Sequence, residues 1–344
     1  MPASFFVFVK KIHVCLQFKK TNMFYLLRKA HILQLLVGVS ALLLCGVEIF
    51  IKPLNISCFS NPLPCADSLA KWMILHPTGA HFFALSLLLL QCVLLFNYIR
   101  KSGFIDEENV LSLLFFCAIS VSMGIFLPLT PAWLTNTAIL VVLNISNHAS
   151  TSIGQTSLLC AGIIIGAATL FDPAAILLLL FFILYVLISQ IDKLRALLAT
   201  LCGTIIPYLY LLAYHFFAGS LPNYLQSFSQ IRFHFPIFTH HSIYALIAMG
   251  VCLLLVIYVM ARVKVLYQNK LIVIRRRYLR LCILFGFTIA MMLISNVPFP
   301  YSLFYLLTPI TVFIISFIPA RNFAISSEIL LMILTASLVV MGRL

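Results

Sequence analysis

Five residues at the turns of this chain are of types that could bind or react. They are Thr130, Asp172, Arg232, His240 and His241. Thr130 and Asp172 each stand directly before a proline, Pro131 and Pro173. Proline suits the first turn of a helix, where its missing N–H is not needed, and a threonine or aspartate before it can cap the free N–H groups. Each such start leaves backbone donors and the positive end of a helix dipole at one place, an arrangement that favours anions. Asp172 offsets this at its own helix with its negative charge. Arg232 lies in a loop at 218–241, where a guanidinium can clamp a phosphate through paired hydrogen bonds, and His240 and His241 flank the end of that loop. The five therefore form a candidate phosphate-binding set. The simpler reading makes Asp172 a cap and Arg232 a partner of lipid headgroups in general. No activated nucleophile stands out, so no catalytic residue is assigned. Nine histidines occur, and His76, His81, His215, His234, His240 and His241 fall on one side of the expected threading without metal-ligand spacing. No metal and no cofactor is expected.

The elements that must position these residues follow from composition. Hydrophobic residues make up 63% of the 344 and charged residues 9%, far below the about 25% charge of a water-soluble domain. Only helices and closed barrels satisfy backbone polar groups in lipid, and the apolar runs lack the alternation of barrel strands. The expected fold class is all-α: a polytopic transmembrane helical bundle with about eleven spans. Residues 1–30 read as a basic N-terminal leader or interfacial segment, with Met23 as the expected translation start, and 31–344 as a single transmembrane domain.

In chain order, the spans are expected near 33–51, 80–99, 110–127, 132–147, a run ending at 171, 173–189, 194–217, 242–260, 281–296, 301–318 and 325–341. A short surface helix is expected around 66–74, a kink at Pro207, and a basic interfacial stretch at 263–280. The stretch 158–189 carries one charge, Asp172, which is expected near a membrane surface because a carboxylate at the bilayer centre costs about 3 kcal/mol. The pair Gly162 and Gly166 has the spacing of close helix packing, and Gln91, Asn97 and Asn144 are expected to hydrogen-bond between helices.

Charge fixes the expected orientation. The chain carries 22 lysines and arginines and a net charge of +14. All of the basic residues except Lys52, Lys71, Arg232 and Arg343 fall on the side of the N-terminus. The positive-inside rule then puts the N-terminus in the cytoplasm and the C-terminus outside. It reads the positive charge as a topology signal, and no nucleic-acid partner is expected. The ten cysteines show no metal-ligand spacing, but Cys58 and Cys65 share an outer loop and form a disulfide candidate.

Four stretches carry a resemblance: LLQCVLLFNYI ending at Ile99, LTPAWLTNTAILVVL over 129–143, GIIIGAATLFDPAAILLLLFFIL over 162–184 and GTIIPYLYLLAYHFF over 203–217. Over residues 80–220 the chain resembles a family of polytopic inner-membrane proteins of unknown function from Bacteroidota. That family is sometimes labelled a beta-carotene monooxygenase, an iron chemistry that needs convergent histidines this chain does not space. Gly162, Gly166 and the proline-marked turn after them, together with Thr130, Thr135 and Asn136, are also similar to parts of multi-span glycosyltransferases that use polyprenyl-phosphate sugars. The acid in the corresponding outer loop is Asp67.

These resemblances imply a GT-C-like architecture in a bacterial inner membrane. They also imply an uncertain, glycosyltransferase-like enzyme status and handling of a lipid-linked saccharide or polyprenyl-phosphate substrate at the outer face. The second reading is a non-catalytic membrane subunit or scaffold of an envelope assembly. Expected partners are membrane lipids, a polyprenyl-phosphate-linked substrate and a membrane protein.

Overall fold

A computed structural model describes residues 63–103, 130–147, 155–188, 192–229, 272–295 and 301–317, with the single positions 250, 257, 261 and 297. The leader, the expected spans 33–51, 110–127 and 325–341, and most of the span at 242–260 lie outside the described residues.

All regular structure among the described residues is helical. The helices are α1 (Pro64–Leu75), α2 (Pro77–Ser102), α3 (Pro131–Asn147), α4 (Gln155–Phe171), α5 (Ile176–Ile188), α6 (Lys193–Phe217), α7 (Leu221–Ser229), α8 (Ile272–Ile294) and α9 (Phe304–Phe317). Single 3-10 turns, Pro173–Ala175 and Tyr301–Leu303, lead into α5 and α9. Three helices are long and apolar enough to cross a membrane: α2, α6 and α8. α3 and α4 have 17 residues each, roughly 25 Å of helix against a hydrocarbon core of about 30 Å.

Local sequence explains the boundaries. Pro64, Pro77 and Pro131 begin α1, α2 and α3, and Pro173 begins the turn into α5. α2 stops at Gly103, which takes a left-handed φ of 69° that a side chain would disfavour. Pro207 lies inside α6, which runs unbroken past it. The first part of the loop expected at 218–241 contains α7, and residues 230–241 lie outside the described residues. α8 begins nine residues before the expected start of that span and takes in the whole arginine cluster. Two of those arginines are used to end neighbouring helices, as described below.

Pairwise contacts give the directions. Gln91 on α2 meets Trp133 on α3 and Asn144 meets Leu94, so α2 and α3 are parallel. Trp133 and Asn136 on α3 meet Phe304 and Thr308 of α9, again in parallel. Phe181 of α5 packs on Phe287 of α8, and Tyr185 meets Arg280 further along, so these two are antiparallel. α2, α3, α5 and α9 therefore run one way, and α4, α6 and α8 the other.

The tightest joint is α4 on α6. A Cβ on Gly162 would meet the Thr200 carbonyl oxygen and lie 3.0 Å from the Gly203 Cα. One on Gly166 would meet the Thr204 carbonyl oxygen, and one on Gly203 the Leu159 carbonyl oxygen. Backbones this close gain dispersion contacts over a long seam, the main attraction between helices in lipid. Thr200 and Thr204 return their hydroxyls to their own helix, so the seam holds no unpaired side-chain donor from them.

Candidate functional site

Asp172 follows α4 in an extended conformation and turns the chain into the 3-10 start of α5. Its Oδ1 accepts the Ala174 N–H at 3.1 Å, the expected cap. Its Oδ2 accepts two hydroxyls, Thr135 Oγ1 from α3 at 2.9 Å and Tyr305 Oη from α9 at 2.5 Å. Ser295, just past α8, pairs with the same tyrosine oxygen at 2.8 Å and accepts the Val297 N–H at 3.0 Å. The donors thus align from Val297 through Ser295 and Tyr305 to the carboxylate.

Asp172 stands at one end of the bundle and is fully buried there. Thr135 of α3 and Tyr305 of α9 bring hydroxyls that stand in for water around the carboxylate. Hydrogen bonds to an ionised acceptor are about twice as strong as neutral ones. One carboxylate therefore ties its own turn to α3 and α9, and through Tyr305 to the residues just past α8. Both of its oxygens carry hydrogen bonds, one on Oδ1 and two on Oδ2, and they latch the surrounding helices together.

A turn deeper lies a second polar layer. Gln91 Nε2 donates to the Trp133 carbonyl at 3.0 Å and to Thr137 Oγ1 at 2.7 Å. Asn136 Nδ2 reaches Gln91 Oε1 at 3.4 Å, and Thr308 Oγ1 donates to Asn136 Oδ1 at 2.6 Å. Deeper still, Asn144 Nδ2 donates to the Leu94 carbonyl at 2.8 Å. Gln91 and Asn144 thus make the interhelical bonds expected of them.

Asn144 Oδ1 in this interior has no partner among the described residues, and the start of α3 holds two more such atoms. Thr130 is 0% exposed and Trp133 2% exposed, yet Thr130 Oγ1 and Trp133 Nε1 have no hydrogen-bond partner among the described residues. The two residues are one turn apart, and the indole stacks on Phe304 at 5.5 Å. A buried polar group without a partner costs about 1–3 kcal/mol, so such a pair at a helix start needs an explanation. The start of α3 lies at the Asp172 end, where the helices leading from Pro173 and Tyr301 also begin. Their positive dipole ends add to a field that favours an anion.

Of the candidate set, Thr130 and Asp172 come to the same end of the bundle. Arg232, His240 and His241 lie outside the described residues, as does Cys58. Cys65 sits half-buried in the first turn of α1, and burial raises the pKa of its thiol. Tyr305 and Ser295 went unremarked in the sequence. The available signal was Ser302, Tyr305 and Thr308 at helical spacing in an otherwise apolar run.

The opposite end is built from arginines. Arg277 Nη1 donates to the Lys101 and Ser102 carbonyls at 2.9 and 2.7 Å, closing the C-terminus of α2. Arg280 Nη1 donates to the Ser146 carbonyl at 3.1 Å near the end of α3, with its guanidinium 5.1 Å from the Tyr185 ring centre. Both place positive charge where helix dipoles are negative. No protein-family description, curated protein or solved structure matches the chain.

Proposed function

We propose that the chain is a multi-pass bacterial inner-membrane protein that binds the phosphate of a polyprenyl-phosphate-linked substrate at its outer end. The observation that carries this reading is the pair of buried donors without partners, Thr130 Oγ1 and Trp133 Nε1, at the start of α3. A phosphate oxygen accepts from both a hydroxyl and an indole N–H, and the convergent helix starts favour its charge. Arg232, in the loop that follows α7, would supply the compensating cation. The polyprenyl chain would lie along exposed apolar helix surface. Asp172 holds the frame of this site and does not react, since its oxygens are taken by Ala174, Thr135 and Tyr305. A binding or presenting role fits this better than acid–base catalysis by that carboxylate.

The test compares the purified wild type with Thr130→Val, Trp133→Phe and Arg232→Ala. Bound polyprenyl phosphate is measured by mass spectrometry and stability by thermal unfolding. The expected result is lipid loss in all three at unchanged melting temperature. Equal lipid in wild type and variants removes the reading.

One observation favours the second reading, a non-catalytic membrane subunit. α6 buries only Ala196, Thr200, Gly203 and Thr204, all on its α4 face. Its far side presents Leu209, Tyr210, Phe216 and Phe217, which are 58%, 75%, 63% and 87% exposed. A photo-crosslinker at Tyr210 that captures one defined membrane protein in cells supports this reading, and capture of lipid alone removes it.

A further inference from the structure

The arginine end of the bundle holds more positive charge than the described residues neutralise. Arg277 donates to the main-chain carbonyls of Lys101 and Ser102, and Arg280 to those of Ser146 and Arg276 while bonding Tyr185 with its guanidinium over that ring. Among the described residues, none of Arg275, Arg276, Arg277 and Arg280 pairs with a carboxylate. The Nε of Arg277 is buried and has no partner. Arg275 and Arg276 are exposed, and Arg100 and Lys101 end the helix that Arg277 closes. Four arginines in six positions repel one another, and the two clamps cannot swing away without freeing the ends of α2 and α3. Opposite charge from outside the described residues relieves this.

Apolar surface accompanies the cations. Ile272, Val273 and Leu279 on α8 are 61%, 44% and 52% exposed, and Leu89, Leu90 and Val93 on α2 face outward further from this end. Guanidinium groups bordered by exposed aliphatic side chains, at the terminus of membrane-crossing helices, match a lipid better than a soluble acidic protein.

We propose that Arg275 and Arg276, backed by Arg277 and the end of α2, form a binding site for the phosphate headgroup of an anionic phospholipid. Its acyl chains lie along Leu279 of α8 and the outer face of α2. The lipid supplies the charge that the arginine clamps lack. Asp106, Glu107 and Glu108, which follow α2 in sequence, lie outside the described residues, and neutralising them tests the intramolecular alternative.

The experiment reconstitutes the full chain with a mixture of phosphatidylglycerol and phosphatidylcholine and reads retained lipid by native mass spectrometry. Each surface cation contributes on the order of 1 kcal/mol to anionic-lipid attraction, so Arg275→Gln/Arg276→Gln is expected to lower phosphatidylglycerol retention by about thirtyfold. Neither residue is a clamp, so the fold should persist. Lys193→Gln/Arg195→Gln, at the same end on α6, should leave retention unchanged, and inorganic phosphate should not displace the lipid. Equal retention in the Arg275/Arg276 variant overturns the site. Equal loss in the Lys193/Arg195 variant reduces it to diffuse surface charge. Full displacement by inorganic phosphate overturns the lipid as its ligand. A large gain in retention on neutralising 106–108 shows that those acids already fill it, and likewise overturns the proposal.

Discussion

The hydroxyl of Tyr305 does two jobs at once, donating to Asp172 and accepting from Ser295. Tyr305→Phe keeps the ring and its packing but strips Asp172 of a donor and Ser295 of its acceptor. The expected loss is about 1–3 kcal/mol, read as a lower melting temperature in detergent. Ser295→Ala should cost less. The double variant should cost less than the sum, because both act on one chain of hydrogen bonds. Asp172→Ala should exceed either, since it strands Tyr305 and the Ala174 N–H together, while Thr135 keeps the Pro131 carbonyl as acceptor. An additive double variant would mean that these residues act independently.

Helices α4 and α6 hold together through the absence of side chains. Gly203→Ala places a methyl against the Leu159 carbonyl and the Gly162 backbone, neither of which can swing aside. The helices must separate, and the melting temperature should fall. Gly286→Ala, inside α8, meets nothing within 4 Å. It should be neutral or stabilise by up to about 1 kcal/mol through helix propensity. Similar losses for both would make the glycine effect one of backbone flexibility, not of close approach. The α4 pair was legible as Gly162-x-x-x-Gly166, because spacing alone puts both on one face. Its partner was not: nothing local tells Gly203 on α6 from Gly286 on α8.

For the whole molecule, the helix directions make a threading test. Gly103 and Thr130 lie at opposite ends of the bundle, as do Ser229 and Ile272. Cysteines introduced at Lys101, Arg195 and Arg275 should react with an impermeant reagent from one side of the membrane. Those at Leu75, Gly219 and Gln226 should react from the other. Reaction of Lys101→Cys and Gly219→Cys from the same side would break the alternation. By the distribution of lysine and arginine, the first group should be cytoplasmic.

Composition and local order determined the class and most of the element boundaries. A chain with 63% hydrophobic residues and 9% charge has few ways to satisfy its backbone except as apolar helices. Proline starts and the left-handed glycine after α2 are local events, settled by φ and by missing N–H groups. Asp172 was legible as a cap for the same reason. What it touches beyond Ala174 was decided by tertiary structure alone. Thr135 and Tyr305 lie 37 and 133 residues from it, and only the packing of α3 and α9 brings them together. The arginines show the same division. Their charge sets only an expectation of membrane side, while their use as clamps on α2 and α3 depends on neighbours that no local pattern names. Hydrophobic runs identify helices because burial in lipid is non-specific. Polar partners inside the bundle stay hidden because a hydrogen bond needs a direction and a distance, which exist only once the helices have packed.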